Sequence, residues 1–118
     1  MASRGVAVLM FEALDEWAAV YLGGPGIGYK SGHDSPRTVD ERRALVVENG
    51  MLYLRQHHRD LFKRLCARHS GSPKTRPGDD YWANHFRQSV HTYRRDCSRA
   101  YDIVHTAVLL QDAKFFDA

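Results

Sequence analysis

Between Tyr93 and Val108 the apolar residues fall at Tyr93, Cys97, Ala100, Tyr101, Val104 and Val108. Steps of three and four place all six on one side of a helix, whereas a strand would need alternation. The same spacing recurs upstream. It runs through Val6, Leu9, Met10, Ala13, Leu14, Trp17, Val20 and Tyr21, then through Ala44, Val47, Met51 and Leu54, then through Leu61, Phe62, Leu65 and Cys66. No stretch carries β-alternation and none is repeated, so the chain is expected to be all-α. At 118 residues, with 43% apolar and 26% charged side chains, it has the composition of one globular domain built on one core.

Gly, Pro and capping residues divide that domain, 1–118, into about five helices. The first is expected over 5–22. Gly23-Gly24-Pro25-Gly26-Ile27-Gly28 then opens a Gly/Pro-rich loop over 23–37, because neither helix nor strand survives that density of breakers. A helical region follows over 38–118. Thr38 and Glu41 have capping-box spacing at its start. Gly50 weakens the second helix by about 1 kcal/mol relative to Ala and invites a bend. Arg55-Gln56-His57-His58 reads as a tight break before a third helix, which His69-Ser70-Gly71-Ser72-Pro73 ends. Asp79-Asp80 is expected to cap a short fourth helix over 81–86, and Ser89 to cap a long fifth one.

Several function classes find little support. No apolar run reaches the roughly 18 residues of a membrane span, and the N-terminal stretch lacks the basic start and cleavage site of a signal peptide. The loop at Gly23–Ser31 misses phosphate-loop spacing, since Tyr29 stands between Gly28 and Lys30, and it follows a helix rather than a strand. Cys66-x-x-His69 could form half a zinc site with His91 or Cys97, but the second tight pair is missing. Both cysteines lie on apolar stripes and read as buried free thiols. Seven His and seven Ser yield no catalytic triad that stands out from chance pairings. The expectation is a cytoplasmic protein that is not an enzyme and needs no metal or cofactor.

Charge is the informative departure. The chain carries a net +3, yet from Leu61 to Ala100 nine Lys and Arg face three Asp, while both ends are acidic. A basic late segment is the electrostatic footprint of a polyanion-binding face. Within it, a short helix, a tight turn and a Ser-capped helix with a polar, basic start have helix-turn-helix spacing, near 79–101. With Tyr93, Cys97 and Ala100 turned to the core, His91, Thr92, Arg94, Arg95 and Arg99 are expected to point outward. Arg87 and Gln88 stand in the turn, and Ser89 can offer its hydroxyl to a phosphate. These eight residues are the candidate DNA contacts.

Ala83, Phe86, Ser89, Thr92, Tyr93, Arg99 and Ala100 form a pattern that resembles the domain 4 helix-turn-helix of bacterial sigma factors. It is also similar to the Q-type late-gene antiterminators of bacteriophages. The segment Leu54–Phe62 resembles the helix that precedes the motif in those proteins, and Trp17 with Gly24-x-Gly26-Ile27-Gly28-Tyr29-x-Ser31 resembles their N-terminal piece. The chain departs from the pattern at Arg87, where the family usually has the turn Gly, and at Asp96, where it more often has an apolar residue. The resemblance implies a protein that binds double-stranded DNA near a late promoter, loads onto bacterial RNA polymerase, with or without its sigma factor, and promotes read-through of terminators. It implies no catalysis. The competing expectation is a small phage protein-binding module that inhibits or redirects a host factor without touching DNA.

Overall fold

A computed structural model describes residues 2–22 and 39–117, with side chains from Gly5 and from Glu41 onward. The Gly/Pro-rich loop and Thr38 lie outside the described residues. Five helices follow in order: α1 (Ala2–Tyr21), α2 (Val39–His57), α3 (Arg59–His69), α4 (Asp79–His85) and α5 (Val90–Gln111). Strands are absent among the described residues, and the all-α class is thereby shown.

The core sits where α1, α2 and α5 meet, with α3 closing one side. From α5 it takes all six residues of the stripe, and from α2 all four, Ala44, Val47, Met51 and Leu54. Gly50 has a packing role beyond any bend. A Cβ there would lie 3.1 Å from the Val104 side chain, so the absent side chain lets α2 and α5 approach. On α1 the buried face is Met10, Ala13, Leu14, Trp17 and Ala18. Leu9, Val20 and Tyr21, expected on the same stripe, are instead more than a third exposed. The apolar arc of α1 is wider than the surface its neighbours offer. Phe115, in the turn after α5, is also buried, and the Arg43 guanidinium lies 4.1 Å over its ring while bonding its carbonyl at 2.9 Å.

The break after α2 falls on the single residue His58. α4 begins two residues earlier than expected, with Gly78 at its N-cap and no side-chain cap. Asp79 and Asp80 therefore stand within its first turn, where they suit the positive end of the helix dipole without capping it. No described helix is long and apolar enough to cross a membrane.

One polar residue enters this core. His69, the last residue of α3, is 1% exposed. Its Nδ1 lies 2.8 Å from Asp15 on α1 and its Nε2 2.8 Å from the Tyr101 hydroxyl on α5. An ionised carboxylate can only accept, so Nδ1 carries the proton and Nε2 accepts from Tyr101. Arg76 folds back on the 70–78 loop to give Asp15 two further bonds, at 2.8 and 3.3 Å. Burial would raise the Asp15 carboxyl, but the bonds from His69 and Arg76 and the Arg76 charge overcome it and hold it at about 2. Burial holds the His69 imidazole below its usual range despite Asp15, so the ring is neutral at neutral pH.

Candidate nucleic-acid interface

The segment α4–turn–α5 is built by local rules. At the end of α4 the Gln88 N–H donates to the Ala83 carbonyl (2.8 Å) and the Arg87 N–H to that of Asn84 (3.0 Å), the paired closure of a Schellman turn. Such a turn needs one residue in the left-handed region, and Arg87 supplies it with φ 58°. Gly is the usual occupant because a Cβ costs roughly 1 kcal/mol there. The turn therefore forms without its Gly. Ser89 then caps α5, its Oγ accepting from the Thr92 N–H at 3.1 Å.

Three side chains clamp the turn from beneath. Gln88 accepts from Arg64 Nε (2.9 Å) and donates to Asp96 (2.7 Å), and Arg64 stands 3.7 Å from Asp96. The same guanidinium lies 4.5 Å over the Phe86 ring, which stacks on Tyr93. Asp96 is thus the polar anchor of the motif, where the resembled families more often have an apolar residue.

This geometry divides the eight candidate DNA contacts. Gln88 does not face outward, since its amide is committed to Arg64 and Asp96. Thr92 is half-buried, and the Ser89 hydroxyl donates to Thr92 Oγ1 at 3.0 Å, so both serve the cap first. His91, Arg94, Arg95 and Arg99 are exposed on α5, and Arg87 is exposed at the turn. Residues 91, 95 and 99 are four apart and follow one another along a single helix face. Arg87, Arg95 and Arg99 form no ion pair with any described residue, while Arg94 bonds Asp79 at 3.0 Å.

Arg99 also reaches the α2–α3 corner, which the sequence had marked only as a helix break and through the resemblance of Leu54–Phe62. With His57, His58, Arg59 and the acid Asp60 at that corner, and with Leu61, Arg64 and Asp96, it lines an open depression of about 470 Å³. The exposed cations of α5 are therefore followed by His57, His58 and Arg59 at this corner.

Comparison with family models, with curated proteins and with solved structures gives no match. No group of three or more metal-ligating side chains comes together among the described residues. Cys97 is fully buried, and burial, with Glu48 nearby, pushes the half-buried Cys66 thiol up to about 11. Neither is a reactive nucleophile at neutral pH.

Proposed function

We propose that this chain is a DNA-binding transcription regulator of the Q-type antiterminator kind, acting in the cytoplasm of a bacterial host. The observation that carries the reading is the row of exposed cations on α5, beginning at a tightly closed turn and continuing to the α2–α3 corner. A helix that enters the major groove by its N-terminal half needs an outward polar face, a fixed turn behind it and positive charge beside it. Arg87, His91, Arg94, Arg95 and Arg99 supply the face and the charge, and the Arg64–Gln88–Asp96 clamp supplies the fixed turn. His57, His58 and Arg59 extend the contact to a neighbouring stretch of phosphate backbone.

The polymerase contact is assigned to α1. Its outer side carries Val8 and Leu9, exposed by 56% and 38%, beside the exposed acids Glu12 and Glu16. A mixed apolar and acidic face of this kind suits a protein partner and repels DNA.

A gel shift with phage late-promoter duplex, joined to a read-through assay with bacterial RNA polymerase, tests both parts. DNA binding and read-through are expected together, and Arg95→Ala with Arg99→Ala is expected to weaken both in a protein that still folds. Read-through without DNA binding, or neither activity, would leave the protein-binding module as the better description.

A further inference from the structure

Asp79 is the outer end of a hydrogen-bonded chain that starts in the core. Its Oδ2 accepts from Arg94 Nε at 3.0 Å and from Arg68 Nη2 at 3.1 Å. Arg68 in turn donates through Nη1 to the Tyr101 hydroxyl (3.3 Å), whose own proton goes to the buried His69. The Asp79 side chain is only 18% exposed, whereas that of Arg94 is 63% exposed. A carboxylate rooted in the core thus grips an otherwise solvated arginine by one nitrogen.

The atom gripped matters. Holding Nε leaves Nη1 and Nη2 without partners among the described residues, and it fixes the direction in which that planar fork points. Arg87, Arg95 and Arg99 have no such hold. A free guanidinium adapts to any nearby phosphate, and the energy it gains depends on charge rather than sequence. Reading a base pair needs two donors presented at fixed spacing, as guanine O6 and N7 require. Of the cations on this face, Arg94 alone is built for that task.

Resting on the DNA-binding reading above, we propose that Arg94 is the sequence-reading residue of α5 and that Asp79 is its positioning residue. Arg87, Arg95 and Arg99 contact phosphates without regard to sequence.

Selection from a pool of randomised duplexes, followed by affinity measurements on the enriched sequence and its single-base variants, tests the division of labour. The wild type is expected to enrich a motif. Arg94→Lys keeps the charge and leaves Asp79 paired with Arg68, yet it should lower discrimination at one base pair by roughly ten- to a hundredfold. Asp79→Ala should flatten the same position, and relaxation of the Arg94 Nε–Hε group should change from ordered to mobile. Arg95→Ala should weaken all sequences by one common factor and lower the salt slope by about 0.9, with the motif unchanged. A motif that survives both Arg94→Lys and Asp79→Ala overturns the proposal, as does a wild type that binds duplexes without enriching any sequence. A wild type that binds no duplex at all overturns the DNA-binding reading itself, and this proposal with it.

Discussion

Two polar networks grip α5, one in the core and one at the rim. The inner one joins Asp15, His69 and Tyr101 across α1, α3 and α5, around an imidazole that solvent barely reaches. The outer one joins Arg64, Gln88 and Asp96 under the turn, with the Arg64 and Asp96 side chains 14% and 16% exposed. In the inner network His69 and the Tyr101 hydroxyl have no water to turn to if orphaned, although Asp15, its side chain 29% exposed, does. In the outer network water can replace a lost partner, so the same number of bonds holds the local geometry of the turn and contributes less to stability. The inner network makes the fold, and the outer one shapes the surface offered to a ligand.

The largest expected effect breaks the inner network. His69→Ala should cost about 3 kcal/mol or more, since it opens a cavity and leaves the Tyr101 hydroxyl unpaired. Denaturant unfolding at neutral pH measures it, and a loss no greater than that of a rim substitution would erase the contrast between the networks. Acid sharpens the same point. The His69 imidazole is held below 6.5 in the folded state, so the unfolded chain binds the proton more readily. Its contribution is present above pH 6.5 and fades as pH falls below that value. Asp15, held at about 2 against 3.8, adds a contribution that is lost only between those two values. Unfolding midpoints should fall from pH 7 to 5 in the wild type, and His69→Gln should flatten that descent.

Two tyrosines about two helical turns apart lie on the same buried stripe of α5. Tyr101 gives its hydroxyl to His69, whereas the buried Tyr93 hydroxyl has no nitrogen or oxygen partner among the described residues and only the Cys97 thiol, a weak one, beside it. Tyr101→Phe should cost about 1–2 kcal/mol, and Tyr93→Phe should lie within about 0.5 kcal/mol of wild type or gain slightly. Equal losses would show that the hydroxyls are in equivalent surroundings. Gln88→Ala, at the rim, should cost about 1 kcal/mol, with the change in amide chemical shifts confined to residues 84–96 and the neighbours of Arg64.

What could be read from the sequence follows the physics of these regions. The stripes of α2 and α5 were legible because a helix repeats its buried face every three or four residues, and Ser89 because an N-cap is a local device. His69 was not legible. A polar residue beside Ser70-Gly71 reads as the end of a helix, and its partners stand 54 and 32 positions away. Gln88 read as outward because a polar residue at a turn usually is. Nothing local announces that Asp96 and Arg64 close on it from two other places. Arg87 shows the same limit from the other side. The surrounding helices impose a left-handed backbone on a residue that does not favour it, and the Gly expected of such a turn proved dispensable.

The central claim is that the outer face of α5 meets the phosphates of DNA, and its ionic-strength dependence tests that claim most directly. Arg87, Arg95 and Arg99 on the α5 side and Arg59 at the corner are the exposed arginines assigned to phosphates, and Arg59 and Arg99 line one depression. With these four engaged on phosphates, the logarithm of the association constant should fall against the logarithm of salt concentration with a slope of about −3.6. In Arg95→Ala with Arg99→Ala the slope should shrink to about −1.8 while the unfolding midpoint stays near that of the wild type. A slope near zero, or one that the double substitution leaves unchanged, would contradict the account.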